Sequence, residues 1–416
     1  MFRSLAHSNY RIWFAGALVS NIGTWMQRTA QDWIVLTDLS GGSATSVGVT
    51  MALQFGPQLL LLPLTGYTAD RVDKRKLLMI TQAGMGVLGA VLAVLTLSHT
   101  VQLWHVYLLA FLLGCFAAFD APARQTWVTS LVERDDLANA VGLNSASFQA
   151  ARLIGPAVAG LLVAWVGAGW VFAINALSFA AVLVSLLRIR EIVPDSARGR
   201  PRASGGLLGG FRYIARRRDF VIVLTVIFVI GTFGLNFPIY AATMSTEVFH
   251  AGAGVYGVLS SEMAIGSVAG ALLAARREKP RLALLAAGCL AFGVFLGVAA
   301  VMPQYWLFGI LLIAVGLVSQ TIMTTANSYL QLTSDQEVRG RVMAIYLAVF
   351  MGGTPIGAPI VGWVADALGP RWGLGVGAAS GVVGAAIAGA YLLRRSPTRS
   401  TSFRPATTPT REPPRS

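Results

Sequence analysis

Apolar residues return along the chain in long runs that begin near Ile12, Ser46, Leu77, Leu103, Ala140, Ala168, Phe220, Ala253, Leu282, Tyr305, Gly340 and Trp372. A run of roughly 20 such residues crosses about 30 Å of hydrocarbon as a helix. Backbone polar groups in lipid must be satisfied within the segment, so runs of this length predict helices rather than barrel strands. The pattern therefore predicts an all-α polytopic membrane protein with twelve transmembrane helices. Its first run passes Leu36 and carries Arg28 and Asp32. A cleavable signal has a short uniform apolar core, so this run reads as a permanent span.

Polar positions inside the runs fall on single helix faces. In the first span Asn21, Thr24, Arg28 and Asp32 are three or four apart and form one stripe. A charge at mid-bilayer costs about 2.5 to 3.5 kcal/mol on insertion scales, so such a stripe faces a partner helix or a water-filled cavity. Either Arg28 and Asp32 neutralise one another, or Asp32 exchanges a proton or meets a cationic substrate with Arg28 tuning it. Thr225, Thr232, Asn236, Tyr240 and Thr243 form a second stripe in span seven, and Gly316, Gln320, Thr324, Asn327 and Gln331 a third in span ten. These faces predict a shared pathway, although Ser, Thr and Asn also bind helices together. Phe233, Phe237 and Tyr240 would offer apolar contact to a substrate. Arg152 in span five and Glu262 in span eight have no charged neighbour within a turn. Each needs a partner on another helix or a neutral state, which makes Glu262 a candidate proton carrier.

Composition agrees with lipid as the solvent. Apolar residues make up 55% of 416 positions and charged residues 12%, about half the charged share of a soluble chain. The net charge of +14 could indicate nucleic acid, but its placement excludes it. All Lys and Arg except Arg28, Arg152 and Arg371 lie in alternate connections or at the termini. That alternation is the positive-inside pattern and predicts a multi-pass protein of the inner membrane with both termini cytoplasmic. Cys115 and Cys289 lie inside apolar runs and read as small packing residues.

The basic, Gly-rich stretch after span six divides the chain. Residues 1–189 are predicted as an N-terminal six-helix bundle, 190–218 as a cytoplasmic linker, 219–394 as a C-terminal six-helix bundle and 395–416 as a disordered tail. An internal repeat supports two halves. At an offset of 202 positions Ala146, Phe148, Ile154, Gly155, Gly160, Gly167 and Trp170 meet Ala348, Phe350, Ile356, Gly357, Gly362, Gly369 and Trp372. Spans five and eleven are thus predicted to be equivalent.

The loop Gly66-Tyr67-Thr68-Ala69-Asp70-Arg71-Val72-Asp73-Lys74-Arg75-Lys76 resembles the signature between spans two and three of the major facilitator superfamily, with Asp73 standing where that pattern usually has a second Gly. Asn9-Tyr10-Arg11, Gly23-Thr24-Trp25-Met26-Gln27, Asp120-Ala121-Pro122-Ala123-Arg124-Gln125 and Arg339-Gly340-Arg341-Val342 resemble the enterobactin-exporter and drug:proton antiporter branch. The resemblance implies two pseudo-symmetric bundles that alternate access to a site between them. It implies a cytoplasmic gate in which Asp70 and Arg71 meet the start of span eleven with Arg341, and Asp120 with Arg124 forms a second element. Gly155-Pro156 with Gly160 resembles the efflux-type signature in span five.

These readings converge on a proton-coupled exporter of small amphipathic compounds, drug-like or siderophore-like, expected to act as a monomer. No GxxxxGK[ST] sequence offers a nucleotide site, so an ion gradient is the expected energy source. No HExxH or nucleophile elbow points to catalysis, and no cofactor or metal is expected. A nutrient importer or facilitator is the alternative within transport; a membrane sensor or enzyme on the same scaffold is the alternative outside it.

Overall fold

The computed structural model describes residues 3–61, 64–65, 68, 72–189, 207–275 and 280–394. Its helices are α1 (Ser8–Ile34), α2 (Ala44–Leu60), α3 (Lys74–Leu97), α4 (Leu103–Ser130), α5 (Leu137–Val166), α6 (Ala168–Arg188), α7 (Leu207–Arg216), α8 (Arg218–Val229), α9 (Phe237–Thr243), α10 (Ala253–Ala275), α11 (Leu282–Ala300), α12 (Tyr305–Thr333), α13 (Arg339–Leu368) and α14 (Pro370–Arg394). No strand occurs among the described residues. Ten helices among them are long and apolar enough to cross a membrane, with α8 and α9 counted within one continuous run. The other two predicted spans are α1, whose polar stripe dilutes its apolar run, and α2, described over 17 residues. Each predicted span begins within four residues of an observed helix start.

Local chemistry sets the ends. Asp73 accepts a hydrogen bond from the Lys76 amide and starts α3, and Ser43 does the same for α2 through Ser46. Gly167 ends α5 and Gly369 ends α13, with φ of 86° and 101°. Only glycine adopts that backbone without strain.

The helices pack as two bundles, α1–α6 and α8–α14, which meet along two seams, α2 against α13 and α5 against α10. The repeat seen in the sequence has a physical basis in the helix crossings, both within each bundle and at these seams. A Cβ on Gly155 would stand 2.5 Å from Trp25 Cβ on α1, and one on Gly357 would run into the Thr232 carbonyl just after α8. A Cβ on Gly160 would stand 2.9 Å from Gly257 Cα at the start of α10, and one on Gly362 2.8 Å from Thr45 Cα at the start of α2. Equivalent glycines thus admit equivalent neighbours in the two bundles, which small residues at helix crossings allow.

At the end of the bundle away from Arg3 and Arg394, one carboxylate joins the halves. Asp366 in the last turn of α13 accepts from the Ala44 amide at 2.6 Å, the Thr45 amide at 3.0 Å, the Ser43 hydroxyl at 3.0 Å and the Thr45 hydroxyl at 2.6 Å. It therefore caps the first turn of α2 from the opposite bundle, where an anion is favoured by the unpaired amides and the helix dipole. Asp366→Ala is expected to release about 1 to 2 kcal/mol of this contact, a shift of roughly five- to thirtyfold toward separation of that end. Spin labels at Ser98→Cys and Gln304→Cys, exposed on the two bundles at this end, should then report a longer-distance population. An unchanged distance distribution would deny Asp366 that role.

Candidate functional site

The polar stripe of α1 turns toward α5 and the C-terminal bundle. Arg28 places its guanidinium 5.0 Å from the Trp25 ring centroid and 5.2 Å from that of Phe55 on α2. Arg152 on α5 reaches the same Trp25 ring at 5.7 Å, and Phe148, one turn before it, meets that indole edge-on at 5.7 Å. Gly155 leaves the space that Trp25 fills. Asp32 is 7% exposed and has two groups near enough to act on it: Arg28 one turn before it and the Tyr256 hydroxyl of α10, across the bundle boundary. Trp33 stacks on the Tyr256 ring at 5.8 Å and fixes that approach. Thr24 spends its hydroxyl on the Ser20 carbonyl. The structure thus brings Arg28, Asp32 and Arg152 together, although only the first two were close in sequence.

Asn21 belongs to a second cluster nearer the other end of α1. Asp120 on α4 accepts from Thr81 at 2.9 Å and Gln82 at 2.7 Å, both on α3, and from Arg124 at 3.2 Å. Arg124 also donates to Asn21 at 3.3 Å and lies 5.6 Å from the Trp13 ring. Side-chain exposures of 9% for Asp120 and 16% for Arg124 make this a buried pair rather than a solvated one.

Span seven departs from the single stripe read in the sequence. The helix opens into a π turn at Ile230–Gly234 and breaks at Leu235 and Asn236, because Pro238 has no amide to continue the ladder. In lipid the freed carbonyls need donors. Asn236 supplies one to Thr232 at 2.8 Å and the Tyr240 hydroxyl another to Phe233 at 2.5 Å. Asn236 and Tyr240 are buried, and Phe237 packs on Tyr240 and on Phe292 of α11. These three candidate substrate residues therefore repair and pack the C-terminal bundle in this conformation. Phe233 stays half-buried at the break, while Thr225 is exposed and off the stripe. On α12, Thr324 donates to the Gln320 carbonyl, and Gln320 faces Gly270 of α10. Glu262 stands apart from the α1 cluster. Its carboxylate fills the space left by Gly309 of α12, and its buried Oε2 has no hydrogen-bond partner among the described residues.

Asp70 and Arg71 lie outside the described residues. Arg341, the expected other side of that gate, stands at the base of α13 beside α7, where a Cβ on Gly210 would be 2.9 Å from Arg341 Cβ. Close by, Arg217 grips Asp219 at 2.6 Å and the Thr333 carbonyl at 3.0 Å, which holds its guanidinium pKa well above the usual value, chiefly through the Asp219 hydrogen bonds. Tyr329 donates to the same carboxylate at 2.9 Å. Sequence reasoning missed Phe55, Tyr256 and Asp366. Tyr256 and Phe55 read as ordinary apolar positions, and Asp366 gave one signal: it sits at a helix end shortly before Gly369.

Two helical bundles with buried charges at their boundary define a membrane transporter, and the architecture is shared with solved transporters. Over 95% of this chain and 97% of the other, it superposes with TM-score 0.72 at 14% identity on a bacterial homologue of the human lysosomal transporter Spinster in an inward-facing and occupied conformation. A D-xylose–proton symporter superposes with TM-score 0.72 at 14% identity, over 91% of this chain and 96% of its own. The family described as transmembrane secretion effector matches residues 1–410. The chain belongs to that family, within the major facilitator superfamily, and is not an enzyme. Its relatives include a staphyloferrin A transporter of Staphylococcus aureus, 26% identical over 86% of this chain and 90% of that protein. The multidrug efflux pump Tap of Mycolicibacterium fortuitum is 27% identical over 85% and 88%. An enterobactin exporter of Shigella flexneri is 25% identical over 77% and 76%.

Proposed function

We propose that this transporter is a proton-coupled exporter of small amphipathic compounds, lying in the inner membrane with both termini cytoplasmic and working by alternating access. The observation that carries the reading is Asp32, a carboxylate buried at the boundary between the bundles, with Arg28 on its own helix and Tyr256 on the opposite one. A titratable group so placed gains or loses its proton as the bundles separate, because separation changes both its hydration and its partners. Glu262, whose Oε2 lacks a partner, is the second carrier. The exporters and the efflux pump among the relatives support the direction of transport. The Asp366 contact between the bundles at the end away from the termini supports a closed outer end in this conformation. Asp120 with Arg124, together with Asp70, Arg71 and Arg341, forms the inner gate. A proton entering down a potential of 100 mV contributes about 2.3 kcal/mol per charge to export.

Everted vesicles given an imposed pH gradient and a fluorescent efflux substrate test the reading. Asp32→Asn and Glu262→Gln should each lose gradient-driven accumulation while downhill exchange of substrate persists. Wild-type accumulation in both variants would remove these carboxylates from the coupling step.

A further inference from the structure

The charge balance at the α1 cluster goes beyond the amphipathic class. Arg28 and Arg152 approach one indole from two helices, at 5.0 and 5.7 Å, which sets two like charges against the same ring. No carboxylate comes within 4.0 Å of either guanidinium among the described residues. Arg28 Nε is buried with no hydrogen-bond partner. Asp32, the one acidic group acting on Arg28, is shared with the Tyr256 hydroxyl. Two cations against one carboxylate leave the cluster positive, and a buried positive charge without a partner is costly unless something supplies the anion.

The surroundings specify what kind of anion fits. Trp25, Phe55 and Phe148 present ring faces and edges around the two guanidiniums. Phe148, edge-on to Trp25, is 46% exposed. Guanidinium groups take carboxylate or sulfonate oxygens in paired, charge-assisted hydrogen bonds. The aromatic side chains take a planar ring by offset or edge contact.

We infer that Arg28, Arg152 and Trp25 form the binding site for an organic anion carrying an aromatic ring, and that such anions are the substrate class of this transporter. The inference rests on the exporter reading for the word substrate and stands on the cluster alone for binding. It reverses the expectation that Asp32 recruits a cation: Asp32 is the internal counter-ion, and the ligand bears the negative charge.

Three probes with one ring system separate charge from hydrophobicity: naphthalene-2-sulfonate, naphthalene-2-methanol and naphthalene-2-methylammonium. Radiolabelled forms are equilibrated with full-length protein in phosphatidylcholine nanodiscs. The sulfonate should bind about tenfold or more tighter than the other two, the worth of one charge-assisted hydrogen bond. Arg28→Gln and Arg152→Gln should each lose about tenfold of that affinity, and the Lys variants less, since they keep the charge and lose the fork. Circular dichroism and a single chromatographic peak show which variants are folded, and the Lys variants carry the test if a Gln variant is not. Equal or tighter binding of the alcohol or the cation overturns the inference, as does no binding of any probe, or wild-type sulfonate affinity in the folded variants. Phosphatidylglycerol in the nanodiscs is the arm for a lipid headgroup. If it abolishes sulfonate binding in the wild type at sub-stoichiometric levels, the occupant is lipid and the inference falls. Flux from sulfonate-loaded proteoliposomes is read separately: arginine-dependent binding without flux refutes the exporter reading and leaves the anion site standing.

Discussion

A Gly357→Ala variant is expected to yield little folded protein, although a single methyl group is added to a helix. Its Cβ would fall on the Thr232 carbonyl, a backbone group of the π turn that no rotamer change can move aside. That turn is held on its other side by the Asn236 amide, so yielding there would cost a second hydrogen bond. Overpacking against soft side chains costs about 1 to 3 kcal/mol, and contact with fixed backbone lies at or above the top of that range. Total stabilities are only about 5 to 15 kcal/mol, so the loss is a large share. Gly375→Ala is the matched comparison, because its nearest neighbour is the Trp372 ring at 3.9 Å. There the same change should be neutral or gain up to about 1 kcal/mol from helix propensity. Thermal unfolding of both variants in detergent checks the pair, and equal melting temperatures would mean that the α13 crossing is looser than drawn.

The same glycine shows how far the sequence could be read. That Gly357 answers Gly155 was visible as an offset of 202 positions, because the duplicated bundles need small residues at the same crossings. Span positions were legible for an equally simple reason: lipid enforces long apolar runs, and their ends are marked by charge, Pro and Gly. The bonds that Asn236 and Tyr240 make to backbone carbonyls were not legible, because a polar stripe in a membrane helix has two uses. A periodicity count assumes an unbroken helix and cannot tell a cavity lining from side chains that cap carbonyls freed by Pro238. Arg152 was noted as lacking a neighbour, yet its meeting with Arg28 over Trp25 depends on the distance between two helices, which no spacing within either helix encodes. Asp366 signalled a helix end but not its contacts, since its partners lie more than 300 positions away.

Asp120 was legible as one half of an i, i+4 pair with Arg124, but not as a hub, and the hub sets the size of its expected effect. Asp120→Ala is expected to destabilise the N-terminal bundle by about 3 to 5 kcal/mol, the cost of leaving a buried charge without its partner. Three losses combine. Arg124 remains 16% exposed beside Trp13 with only Asn21 to receive it. The Gln82 amide loses its acceptor at 2.7 Å, and the Thr81 hydroxyl loses its contact at 2.9 Å. Asp120→Asn keeps an acceptor for α3 but cannot neutralise Arg124, so it should fall between the wild type and Asp120→Ala. Removing Arg124 as well should restore part of the stability, giving a coupling of about 1 to 3 kcal/mol in a double-mutant cycle. The readout is the midpoint of thermal unfolding for the two single variants and the double. If Arg124→Ala brings no recovery on the Asp120→Ala background, the pair is not a buried ion pair in the membrane, and the inner gate built on it loses its fixed point.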